Sequence, residues 1–279
     1  MKRLLSFFLL MCFSTKLFAT HNRAGEIIYK QIGPLTFEVT IIPYTKTSAP
    51  ADRDTLRIEW GDGTGMSVAR SNGGGAGESL PNDIKYNIYK ATHTYTGRST
   101  YTMSVTDQNR NANILNVNQP NSQDVAFHLE TKLTILNPNF DGFNTSPVLL
   151  QPPIDIGCVG ERFVHNPNAF DAEGDSIAYE LIKPLAGVGS PVPNYVYPDG
   201  ILPGANNIIS LDERTGDFVW NAPRLAGEYN VAFLIKEYRG GRLITTIIRD
   251  IQITIKDECR HPPKITTIAE KCVDRKSVV

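Results

Sequence analysis

Asp171, Glu173 and Asp175 set three carboxylates at alternate positions around Gly174, a run of hard oxygen donors that suits Ca2+. As the loop of a helix-loop-helix calcium site the segment fails, because Ser176 stands where the turn glycine belongs and Ile182 where the bidentate Glu belongs. Asp141 and Asp155 are the neighbours from which further ligands could be drawn. The competing reading is a solvated acidic turn ahead of a strand, and the lack of neutral ligands in view favours it. Gly61-Asp62-Gly63-Thr64-Gly65 has the glycines of a phosphate cradle but neither the lysine nor the helix that should follow, so it reads as a hairpin turn. His21, His93, His128, His165 and His261 are scattered, with no close pair; His93, inside His93-Thr94-Tyr95, reads as a packed residue rather than a base. Cleavage after Thr20 would free His21 for a copper brace with His93 or His128, but Ala19 is the better cleavage residue. No Gly-x-Ser-x-Gly, Cys-x-x-Cys or framed carboxylate pair occurs.

The elements that must position these residues are strands. Leu56, Ile58 and Trp60 share a face; so do Tyr101, Met103 and Val105, then Val125, Phe127 and Leu129, then Leu133 and Ile135. The alternation returns at Ile177, Tyr179 and Leu181, at Phe218 and Trp220, along Tyr229, Val231, Phe233 and Ile235, and at Ile251, Ile253 and Ile255. No dozen residues beyond the N-terminus carry a helical stripe. Short strands divided by Asp62-Gly63, Asn72-Gly73, Asp141-Gly142, Asp199-Gly200 and Thr215-Gly216 predict an all-β chain of antiparallel β-sandwiches, about 100 residues each. The boundary is placed where apolar content falls, giving a first sandwich over 20–137, a linker over 138–146 and a second sandwich over 147–258. Two segments, Arg70 to Asn82 with four glycines and Asp107 to Asp124 with six asparagines, are predicted to lie on the surface as loops.

The 279 residues carry Lys+Arg 28 against Asp+Glu 29, with 41% hydrophobic residues, which excludes collagen, a disordered tail and a polytopic membrane protein. Lys2 and Arg3, the apolar run Leu4 to Phe13 and the small Ala19 make 1–19 a secretory signal peptide, too short for a membrane span. Without it the net charge is about −4, which argues against nucleic acid as a partner. Export leaves Cys158, Cys259 and Cys272 in an oxidising compartment. An internal echo accounts for the odd number: Gln151-Pro152-Pro153-Ile154 with Cys158-Val159 resembles His261-Pro262-Pro263-Lys264-Ile265 with Cys272-Val273, as though a third module began over 259–273. Cys158 can then pair with Cys259, and Cys272 with a residue beyond the chain, although a Cys259–Cys272 pairing stays open. Asp274-Arg275-Lys276-Ser277-Val278-Val279 back-translates to GAT CGG AAG AGC GTC GTG, a common sequencing-adapter stretch, so 274–279 is expected to be an artefact and the chain an N-terminal fragment.

Trp60-Gly61-Asp62-Gly63-Thr64, then His93-Thr94-Tyr95, Gly97 and Tyr101 to Asp107, resemble the signature of PKD domains, Ig-like sandwiches of secreted and surface proteins. Asp171 to Tyr179, Ile209-Ser210-Leu211, Thr215 to Trp220, Pro223 and Gly227-Glu228-Tyr229 resemble cadherin-like and Ig-like modules. With His21 to Ile27, the layout is similar to Bacteroidetes surface proteins that carry a gliding-motility-associated C-terminal domain. That resemblance implies type IX export, cell-surface attachment and, for Asp171, Glu173 and Asp175, a cadherin-like structural Ca2+ at a domain junction. The expected function is a non-catalytic exported spacer with adhesive or recognition surfaces for protein or carbohydrate ligands and no other cofactor. The alternative is an accessory region of a secreted polysaccharide- or protein-degrading enzyme whose catalytic domain lies beyond Val273.

Overall fold

The structure, a computed structural model, describes residues 22–49 and 52–259. The expected signal peptide, most of the expected third module with Cys272, the last six residues, His21 and His261 lie outside the described residues.

The chain is all-β. Its N-terminal half contributes β1 (Asn22–Gln31), β2 (Thr36–Lys46), β3 (Thr55–Glu59), β4 (Gly65–Ala69), β5 (Glu78–Leu80), β6 (Ile84–Tyr86), β7 (Tyr89–Thr94), β8 (Thr100–Asp107) and β9 (Phe127–Thr134). One layer is built on β2, which pairs antiparallel with β1 and β7; the other runs β4-β3-β8-β9. Between them lies a core of Ile27, Phe37, Ile41, Ile58, Trp60, Met103, Leu129 and Leu133. The predicted hairpin turn closes β3 onto β4: Trp60 N donates to Thr64 O at 2.9 Å, and Asp62 Oδ1 accepts from Thr64 N and Oγ1 at 2.9 and 2.6 Å. Gly61 is required there. Its φ is +82° and a Cβ would stand 2.4 Å from Thr102 O.

After a four-residue helix, α1 (Pro138–Asp141), come β10 (Val148–Leu149), β11 (Ile154–Cys158), β12 (Phe163–His165), β13 (Ala169–Phe170), β14 (Ser176–Ile182), β15 (Leu185–Gly187), β16 (Ser190–Pro191), β17 (Ile208–Leu211), β18 (Phe218–Asn221), β19 (Gly227–Arg239) and β20 (Arg242–Lys256). One layer is β14-β19-β20-β11, the other β12-β18-β17. Tyr179, Phe218, Trp220, Phe233, Ile235, Ile251 and Ile253 fill the space between. The core residues expected from period-two alternation occupy these two interiors, and the cores divide on either side of 137–146.

Hydrogen bonding does not divide there. One edge of β20 pairs with β19 over its whole length, and the other is shared by three strands in succession. Residues 245–247 pair with β9, Asp250 pairs with Gly25 of β1, and 252–256 run parallel to β11. A strand of the C-terminal half thus bridges the two layers of the N-terminal half, pairing along one edge with a strand of each.

The segment from Asp107 to Asp124 departs from its expected place on the surface. Ile114 and Val117 are fully buried and join Val125, Val192 and Tyr195 in a third apolar cluster drawn from both halves. Several of its polar groups bond the facing half. The Asn116 side chain donates to Asn230 O at 2.7 Å and accepts from Asn230 N at 2.9 Å, in place of a strand ladder. Leu115 N donates to Glu228 O at 2.8 Å, and Arg110 pairs with Asp250 at 2.7 Å, both side chains fully buried. Asparagine amides can replace backbone groups one for one, which lets an asparagine-rich segment enter an interior. The segment around Gly73 to Gly77 stays outside, as expected.

Candidate functional site

The acidic turn connects β13 to β14 at the β19–β20 hairpin end of the second half. Asp175 N donates to Asp171 Oδ1 at 2.7 Å, and Gly174 carries the left-handed φ of +81° that lets the chain turn back. This folds Asp171 and Asp175 onto the same side and leaves Glu173 exposed on the outside. The third carboxylate facing them is Glu237 of β19, with ligand oxygens of Asp171, Asp175 and Glu237 all within 4.8 Å of one another.

Glu237 is fully buried. Its Oε2 accepts from Asn144 Nδ2 at 3.2 Å, while Oε1 has no protein partner. Asp171, 8% exposed, has the same character: Oδ1 is taken by the turn and Oδ2 is unpartnered. Burial, reinforced by the charges of Asp171 and Asp175 and opposed by hydrogen bonds from Thr245 and Asn144, pushes the Glu237 carboxyl up to about 8. Asp175 is gripped by Arg239, whose Nε lies 3.0 Å from both carboxylate oxygens. The same guanidinium donates to Asp141 O at 2.7 Å and to Asn144 Oδ1 at 2.6 Å. Asn144 in turn donates its backbone N–H to Gln31 Oε1 and its Nδ2 to Tyr29 Oη, both partners from β1. The cluster is therefore wired through the connector into the N-terminal half.

Of the carboxylates named as neighbours, Asp141 reaches the cluster through its carbonyl and turns its side chain to Arg242 at 3.5 Å, and Asp155 lies on β11 beside His165 at 3.2 Å. Sequence reasoning missed Glu237. The signal was present: 237 continues the inward series 229, 231, 233, 235, and an acid at the next inward position of a buried strand needs a partner.

The histidines are engaged in packing. His93 stacks on Trp60, ring centroids 4.5 Å apart, and holds Asp62 at 2.7 Å. His128, fully buried, lies between Thr106 at 2.7 Å and Glu130 at 2.9 Å. A groove of about 330 Å3 between the halves is lined by Arg23, Lys46, Lys256, Asp83, Asp155 and Glu228, three charges of each sign. Cys158, ending β11, is joined to Cys259 in a disulfide, Cα–Cα 5.9 Å, that fastens β11 alongside the end of β20. No helix among the described residues is long and apolar enough to cross a membrane.

No family model matches the chain, and no curated protein matches it. Among solved structures it is similar to the N-terminal Ig1-2 module of the Drosophila receptor protein tyrosine phosphatase DLAR, at 14% identity, covering 85% of this chain and 96% of that one, with a TM-score of 0.26. A tandem of titin Ig domains follows at 12% identity, covering 85% and 99%, with a TM-score of 0.22. At these values no residue-by-residue correspondence follows.

Proposed function

We propose that this chain is an exported, non-catalytic surface module. Its two sandwiches act as one stiff spacer that holds loop surfaces out toward protein or carbohydrate ligands, in a surface protein of the gliding-motility and type IX export class that its sequence resembles. The observation that carries this reading is the shared strand: β20 hydrogen-bonds to β9 and β1 as well as to its own half. A spacer must not bend at its junction, and a ladder continuous through the junction resists bending where a bare linker would not. The Cys158–Cys259 bridge supports life in an oxidising compartment. Phe140, Phe143 and Phe170, exposed beside the junction, offer aromatic faces on which sugar rings or apolar side chains can stack.

Spin labels placed one in each half test the stiffness: a single narrow distance distribution is expected, and a broad or bimodal one overturns the spacer. Beads coated with the chain test the recognition role when flowed over surfaces bearing proteins or polysaccharides. Retention that falls at least several-fold with Phe140→Ala and Phe170→Ala together is expected; beads that wash off every surface like uncoated ones overturn it.

A further inference from the structure

Three carboxylates that face one another need something between them. Glu237 is wholly buried with Oε1 unpartnered, Asp171 is nearly so with Oδ2 unpartnered, and both residues belong to the same cluster as Asp175. A buried carboxylate oxygen without a donor bears the full cost of its lost hydration, and here two carboxylates of one cluster each carry one. Asp175 does not relieve them, because it is itself an acid and its oxygens already take the Arg239 guanidinium. Charge gives the valence of what is missing. With Glu237 ionised, three carboxylates against one guanidinium leave two negative charges, and a divalent cation neutralises them as it displaces the Glu237 proton. The donors are all oxygen, which selects a hard cation over zinc or copper. Coordination geometry selects further: Ca2+ accepts an irregular oxygen set at about 2.3–2.6 Å, whereas Mg2+ demands a near-ideal octahedron at about 2.0–2.1 Å. The ligand oxygens lie within 4.8 Å of one another, close enough to share one ion.

We infer that Asp171, Asp175 and Glu237 form a Ca2+ site, completed by water on the side of Asp175, which is only partly buried. Glu173, although part of the sequence pattern, takes no part. The site differs from a solvated acidic turn because two of its three carboxylates come from separate elements, the β13–β14 turn and β19. Binding ties that turn to β19. Through Arg239 and Asn144 it also fixes the connector 141–144, which leads from the N-terminal half. The inference concerns the folded chain alone and holds or fails independently of what the loops recognise.

The test uses the disulfide-intact chain, stripped with a chelator and titrated with CaCl2 and, separately, MgCl2 by calorimetry, with melting temperatures recorded at each end point. One Ca2+ per chain is expected, at the ~10−4–10−3 M affinity of extracellular calcium modules, with a rise in Tm and weaker binding of Mg2+. Asp171→Asn and Glu237→Gln should each weaken Ca2+ binding at least tenfold, and Glu173→Gln should leave it unchanged. Folding of Glu237→Gln is checked by its melt in chelator, which should match that of the parent because the amide keeps the shape of the carboxyl and its oxygen can still accept from Asn144 Nδ2. Absence of heat and of a Tm shift in millimolar Ca2+ would overturn the site and assign the two orphan oxygens to a shared proton. Loss of binding in Glu173→Gln, or unchanged binding in both Asp171→Asn and Glu237→Gln, would also overturn it.

Discussion

Asp62 shows how one side chain can serve a turn and a core at once. Its Oδ1 caps the hairpin turn through Thr64, and its Oδ2 holds His93 at 2.7 Å in the stack on Trp60. Partial burial raises its carboxyl, but the hydrogen bonds from Thr64 and His93 outweigh that and hold it below the usual carboxylate value of 3.8. The folded state therefore binds the proton less readily than the unfolded one, so Asp62 contributes stability that is present above its unfolded value and lost as pH falls through the lower folded one. Asp62→Asn should cost about 1 kcal/mol or less near neutrality, in keeping with a single partly exposed charge-assisted bond. The Tm gap between parent and Asp62→Asn should close as pH falls from about 5 to 2. A gap that stayed constant across that range would show that the carboxylate charge contributes nothing and that only the shape of the turn matters.

At the scale of elements, the segment 107–124 divides two expectations. A surface loop tolerates substitution within about 0.5 kcal/mol. A clasp does not: Ile114 is fully buried against Val192 and Tyr195 of the other half, so Ile114→Ala should cost about 2–5 kcal/mol. Ile114→Ala and Val192→Ala should couple by more than about 0.5 kcal/mol in a denaturant double-mutant cycle, because they share one cluster across the junction. Arg110→Met should cost about 3–5 kcal/mol by leaving Asp250 charged and buried, and Arg110→Met with Asp250→Asn together should cost less than the sum. The strands read from the sequence were those whose apolar residues alternate, Tyr229 to Ile235 and Ile251 to Ile255 above all, because a half-buried strand writes its inward face as every second residue. β1 was not read as a strand. Arg23 and Glu26 interrupt any alternation, yet both are buried: Arg23 Nε donates to Gln252 Oε1 at 3.0 Å, and Glu26 pairs with Arg249 at 3.2 Å. A polar residue whose partner lies some two hundred positions away looks, along the chain, like a polar residue in water. The same limit hid Glu237 from the acidic turn and Asn111 and Asn116 from the junction, whereas the turn itself, Asp171 and Asp175 were legible because their geometry is local.

For the whole molecule, the place of β20 decides how many cooperative units there are. Two beads on a linker would fold separately and unfold in two transitions. Here β9 and β1 of the N-terminal half lie one after the other along a single edge of a strand that half does not encode, and the C-terminal half buries Arg249, Asp250 and Gln252 against side chains that it lacks. Residues 22–146 alone would expose two unpaired strand edges beside an opened core, a template for aggregation, and residues 147–259 alone would carry Arg249 and Asp250 without their charged partners Glu26 and Arg110. The full chain should therefore unfold in a single urea transition monitored in parallel by Trp60 and Trp220, one in each core. Reduction of Cys158–Cys259, which closes a loop of 101 residues, should shift that single transition downward by up to ~4–5 kcal/mol rather than split it, since β11 and the end of β20 belong to the same unit. The separate pieces should each melt well below the full chain or aggregate, and mixing them should restore much of the lost stability. If 22–146 folded alone with the stability it has in the full chain, the strand shared through the junction would be a contact between finished domains and not part of either core.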